Sequence, residues 1–224
     1  MKLTLDMHFI RKHILRVVTY AEWVRFRDMR PKNVDSNLYS YHLKCLIKEG
    51  YIEHDTQKGY RLSPAGMRFV DHISLESFEP RWQPKLLTML VVVRDGHICL
   101  WPKYKQPFIG SWSLPSGKVH FEDVSVERAA VREIGYLTDT QPRAIRHCGV
   151  VEFSAGIQDT TVSHTVSHVF LVDILPEDIT HPKVEWIALD QLSELTLSPG
   201  THEIIQAAQS KKEFFYLPLT IDWE

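Results

Sequence analysis

The chain has 224 residues, 44% of them hydrophobic, enough apolar material for two small domains with cores of their own. No apolar run is long enough to cross a bilayer, and the opening Met1-Lys-Leu-Thr-Leu-Asp-Met-His8 lacks a signal-peptide core, so membrane residence and secretion are not expected. Cys45, Cys99 and Cys148 stand far apart with no metal-finger spacing, which argues against a disulfide framework and for reduced thiols in the cytoplasm.

The net charge of −2 conceals an asymmetry. Residues 1–75 hold thirteen Lys and Arg against eight Asp and Glu, whereas residues 76–224 hold thirteen against twenty. The first third therefore suits a polyanionic partner.

In chain order, Phe9, Ile10, Ile14, Leu15 and Val18 recur at helical spacing and predict a helix over residues 8–19. A second short helix is expected from Ala21 to Met29, stopped by Pro31. Asp35 or Ser36 then caps a third helix, Asn37 to Lys48, with Tyr39, Leu43 and Leu46 facing inward and Gly50 ending it. Tyr51–Leu62 reads as two short strands around a polar turn, and Ser63-Pro64 as the cap and first turn of a fourth helix.

This succession, carried by Asn37–Ile52 and Gly59–Gly66, resembles a winged helix-turn-helix over residues 1–75. The resemblance implies double-stranded DNA as partner, with the third helix in the major groove and the hairpin on the neighbouring backbone. Asn37, Ser40, Tyr41 and Lys44 would then face bases or phosphates, and Lys58 and Arg61 would sit on the wing. Winged helices also serve as protein-protein modules, which leaves an adaptor as an alternative.

Residues 76–84 carry two prolines and no period, and read as a linker. Beyond it, Lys85–Val93 is an apolar strand turned by Arg94-Asp-Gly-His97 into Ile98–Trp101. Gly149–Ala155, Val162–Ile174 and Val184–Leu189 are strand-like, and a last helix runs from about Thr201 to Ser210. His164 and His168, in the doublet Thr161-Val-Ser-His-Thr-Val-Ser-His168, share one face of a strand but lie ~13 Å apart along it, too far to share a metal.

Between these strands, Gly110-Ser-Trp-Ser-Leu-Pro-Ser-Gly-Lys-Val119 and Glu127-Arg-Ala-Ala-Val-Arg-Glu133 resemble the box of the Nudix family. The resemblance implies an α/β/α sandwich over residues 85–224, and hence an α/β (α+β) protein of two domains. It also implies cleavage of nucleoside diphosphate-linked substrates with Mg2+ or Mn2+, held by carboxylates one helical turn apart. Arg132 and Glu133 match that pattern, but Tyr136 and Leu137 stand where the paired glutamates belong, Asp139 replaces a glycine, and Val124 falls at the earlier glutamate position. Glu133 is the residual catalytic and metal-ligating candidate, with Glu122, Asp123 and Glu152 as substitute ligands. Restoring the pair with Tyr136→Glu and Leu137→Glu is expected to raise metal affinity.

Gly117, Lys118, His120, Arg132, Glu133 and Tyr136 are the candidate ligand-binding residues, for backbone or side-chain contact with phosphates and for stacking on a base. A basic reader joined to a damaged catalytic box predicts a ligand-sensing transcriptional regulator. It is similar in logic to the NAD-related Nudix regulators, with the domain order reversed. A homodimer, a nucleotide-type or ADP-ribose-like ligand and no obligatory cofactor are expected. An active hydrolase with a non-standard metal site is the principal alternative.

Overall fold

The computed structural model describes residues 7–222, and the chain divides into two units between Trp82 and Gln83. In the first, Phe9–Thr19 form α1, with Ile10, Ile14, Leu15 and Val18 buried at the spacing the sequence predicts. Ser36–Lys48 form α2. Its N-cap, Asp35, accepts hydrogen bonds from the amides of Asn37 (2.8 Å) and Leu38 (3.1 Å), satisfying donors that a helix start leaves open. Gly50, at φ 80°, closes it. Ile52–Asp55 (β1) and Gly59–Leu62 (β2) pair antiparallel, and Pro64–Asp71 make α3, capped by Ser63. A Cβ on Gly66 would lie 2.0 Å from the Tyr51 carbonyl oxygen, so the close packing of α3 on the chain entering β1 requires glycine. Each large side chain fully buried in this core, such as Ile10, Ile14, Leu15, Met29, Tyr39 and Leu46, contributes about 1.5–3 kcal/mol at most. The architecture is a winged helix-turn-helix.

Two expectations are corrected in this unit. The helix expected over Ala21–Met29 is only a single 3-10 turn, Phe26–Met29. Val24 instead exchanges both backbone hydrogen bonds with Tyr60, at 2.8 and 2.9 Å, adding an extended residue to the wing. The segment expected as a linker from residue 76 packs back on its own unit. Phe78 is 1% exposed, Pro80 bridges Ile73, and the Arg16 guanidinium donates to the Leu75 carbonyl. Proline and polar content conceal one buried aromatic.

In the second unit, Lys85–Arg94 (β3), His97–Pro102 (β4), Trp112–Ser113 (β5), Ser116–Lys118 (β6), Ala144–Ile157 (β7), Thr160–Asp173 (β8), Glu185–Ala188 (β9) and Phe215–Asp222 (β10) form one mixed sheet. Its order is β10-β7-β8-β3-β4-β5, with β6 on β3 and β9 on β4. β3 runs parallel to β8, and β10 parallel to β7. Val126–Leu137 (α4) covers one face through Ala130, Ile134 and Leu137; Thr201–Gln209 (α5) covers the other through Ile204, Ile205 and Ala208. This is the expected sandwich. β10 is an addition to the expected strands, although Phe215, Leu217 and Leu219 alternate toward the α5 core. Pro218 argues against a central strand but is tolerated at the sheet edge that β10 occupies.

Candidate functional site

Arg132, on α4, organises the box. Its Nε and Nη2 donate to the two Asp123 oxygens at 2.9 and 2.8 Å, Nη2 also to the Lys118 carbonyl at 2.8 Å, and Nη1 to Glu133 Oε1. The guanidinium, followed by the His120 amide, holds the Asp123 carboxyl far below the usual carboxylate range, and Asp123 in turn raises Arg132. The carboxylate that takes the first place in the box is thus Asp123, with five residues between it and Gly117. Val124, where the sequence register places it, stands at φ 65° and is 93% exposed, turned away from Arg132. Glu133 is buried, and its carboxylate lies over the Cα of Gly117. A Cβ there would come within 1.9 Å of the Glu133 Cδ.

A divalent ion needs several carboxylate oxygens free to converge. Both Asp123 oxygens belong to Arg132, Glu122 is exposed on the loop, and Glu152 on β7 engages the Tyr216 hydroxyl (2.6 Å) and His164 (3.2 Å). Those two contacts, Tyr216 first, hold Glu152 below its usual range. Tyr136 is 58% exposed on α4, whereas Leu137 is 1% exposed beneath it. Among the described residues, no three His, Cys, Asp or Glu side chains form a set able to hold a metal ion. The donor set at α4 does not fit the divalent cation that the box resemblance implies.

What the fold does assemble is a two-part cavity whose inner part lies on the α5 side of the sheet, against Thr201 and Ile204. The inner part, about 230 Å³, is walled by Leu87, Met89, Leu114, Phe108 and Phe153, and carries the hydroxyls of Ser163, Thr165 and Ser167. These come from the histidine doublet. In a strand its alternate positions fall on one face, so the hydroxyl residues line the cavity while His164 and His168 turn to the opposite face. There His168 shares a hydrogen bond with His147 at 3.0 Å, and burial followed by His147 lowers its pKa.

The outer part, about 570 Å³, is lined by Lys103, Lys105, Lys118, His181 and Lys183 beside Trp101 and Tyr104. Lys85 joins from the inner part, and Lys103 borders both. The loop carrying Lys103 is fixed by the Lys103 amide donating to Ser111 and the Gly110 amide donating to Lys103, each at 2.8 Å, with Gly110 at φ 83°. Lys103 lies over the Phe108 ring at 5.5 Å and Lys183 over Tyr104 at 4.5 Å. Burial, and then Lys85, lowers the Lys103 pKa.

Of the sequence-predicted ligand residues, Lys118 alone lines this cavity. Gly117, Arg132 and Glu133 form the packed box, and His120 and Tyr136 are exposed outside it. Lys85, Lys103, Lys105 and Lys183 were missed because three separate segments bring them together. The concentration of lysines over residues 85–118 was the available signal.

In the first unit, Asn37, Tyr41 and Lys44 are exposed at helical spacing along α2, with Ser40 half-buried beside them. Lys58 is exposed at the wing tip, 5.7 Å from the Trp23 ring. Arg61 is engaged by Glu53 across the hairpin at 2.9 Å and stacks over Trp23 at 4.7 Å.

Among the described residues no helix is long and apolar enough to cross a membrane. No curated protein matches the sequence. A MutT protein from Bacillus halodurans, 20% identical, has the same fold with a TM-score of 0.51 over 62% of this chain and 90% of its own. A MutT NUDIX hydrolase from Burkholderia pseudomallei is 29% identical over 56% of this chain and 98% of its own, TM-score 0.47. NrtR from Shewanella oneidensis is 19% identical over 55% of this chain, TM-score 0.47, and the match spans 61% of that protein. The family model for the NUDIX domain matches residues 84–208, more than half of the sequence, and the chain belongs to the Nudix family.

Proposed function

We propose that this protein is a DNA-binding regulator whose Nudix domain acts as a receptor for a nucleotide-type metabolite of the ADP-ribose kind. One observation carries the reading: α4 has only Glu127, exposed in its first turn, and Glu133, already engaged by Arg132, with Tyr136 and Leu137 where the paired carboxylates would stand, in a chain whose first unit is a winged helix. The winged helix docks α2 in the major groove of double-stranded DNA through Asn37, Ser40, Tyr41 and Lys44, with Lys58 on the flanking backbone. Arg61 supports the wing through Glu53 and Trp23. A homodimer presents two such helices to two half-sites. The ligand changes DNA affinity by favouring one conformation, and a coupling of about 1–3 kcal/mol makes a usable switch.

Family membership supports a second reading, pyrophosphohydrolase activity with Glu133 assisted by Glu122, Asp123 or Glu152. The two are separated by incubating the protein with Mg2+ or Mn2+ and ADP-ribose, dinucleotides or nucleoside triphosphates. The regulator reading expects no turnover, and a raised melting temperature with at least one compound. ADP-ribose is the first probe because the NrtR Nudix domain has been solved in complex with it. Turnover abolished by Glu133→Gln would replace the regulator with an enzyme.

A further inference from the structure

The second unit is acidic overall, yet its lysines are not dispersed. Of the seven lysines that follow residue 84, five, Lys85, Lys103, Lys105, Lys118 and Lys183, line the two-part cavity, and no carboxylate does. Among the described residues none of the five is ion-paired. Gathering like charges in a partly enclosed site is unfavourable unless an anion shares it. The inner part differs in kind, with aromatic walls and a row of hydroxyls.

We propose that the outer cleft binds the diphosphate group of a nucleotide-type ligand directly through Lys103, Lys105, Lys118 and Lys183, with no divalent cation. The nucleoside end then enters the inner pocket against Phe108 and Phe153, where Ser163, Thr165 and Ser167 bond its hydroxyl or carbonyl groups. The ammonium groups supply the charge that a metal would otherwise bring to the phosphates, in a domain whose box helix does not fit one. This rests on the reading of the Nudix domain as a receptor and adds to it the means of recognition.

The test is calorimetric titration of the full chain with inorganic pyrophosphate, in excess EDTA and in Mg2+. Binding is expected to persist in EDTA. It should weaken about tenfold or more in Lys183→Met and again in Lys103→Met, the usual loss for a hydrogen bond to a charged group, and stay unchanged in Lys211→Met. Lys183 is exposed, so its variant keeps the test open if Lys103→Met fails to fold. Binding that disappears in EDTA and returns with Mg2+, no binding in either, or full affinity in the double variant would overturn the proposal. Pyrophosphate binding in EDTA by a protein whose DNA affinity ignores ADP-ribose would retain the lysine site and remove the regulator.

Discussion

Leu137→Glu is expected to unfold the Nudix domain, lowering its stability by more than about 5 kcal/mol in a urea titration followed by circular dichroism. Losing a fully buried leucine costs about 1.5–3 kcal/mol, and an unpaired carboxylate in its place costs several more. A domain of this size has about 5–15 kcal/mol in total. Leu137 is buried with Ile134, Phe170 and Val172 between α4 and the sheet. Tyr136→Glu, on the exposed side, should change stability by no more than about 0.5 kcal/mol. Restoring both glutamates, expected from sequence to raise metal affinity, therefore breaks the packing that has grown where ligands belong in the family. A stable Leu137→Glu variant would mean that the helix can rotate this position out of the core.

The second large effect concerns DNA. Replacing Asn37, Tyr41 and Lys44 together with Ala is expected to weaken duplex binding on the order of 10³-fold at constant salt, each contact being worth about 1–3 kcal/mol. Folding should be untouched, because all three side chains are exposed. Lys44→Ala alone should also lower the slope of log affinity against log salt by about one, the signature of one lost phosphate contact. Fluorescence anisotropy on a duplex selected by the protein from a random pool measures both. Unchanged affinity in the triple variant would move the interface off α2, and a chain that selects no duplex would support the adaptor.

Helices with strong periodicity and caps were legible before any coordinates. The row Tyr39, Leu43, Leu46 behind an Asp35 cap defines α2, and Ser63-Pro64 starts α3, because each signal is local. The segment 21–25 was not, since its conformation depends on pairing with Tyr60, distant in sequence. Phe78 shows the same limit: nothing beside it marks it as core. At the site, the missing glutamates could be read directly, but the shift from Val124 to Asp123 needed the guanidinium geometry of Arg132. The lysine cleft was legible only as a run of lysines over residues 85–118, because Lys183 joins Lys103 and Lys118 only through the sheet, where β9 beside β4 brings the chain near 183 back to them. The doublet was legible as a strand, but which of its two faces borders a cavity depends on Phe108 and Phe153, distant in sequence, so the hydroxyl row of Ser163, Thr165 and Ser167 carried no local signal.

The most direct test is the affinity of the full chain for its selected duplex, measured with and without ADP-ribose in excess EDTA, with the nucleotide recovered and analysed afterwards. The expected result is a 5- to 150-fold change in DNA affinity, roughly 1–3 kcal/mol of coupling, with the ligand recovered intact. DNA affinity that ADP-ribose leaves unaltered, together with cleavage of the ligand once Mg2+ is supplied, would contradict it and make this winged-helix protein an enzyme.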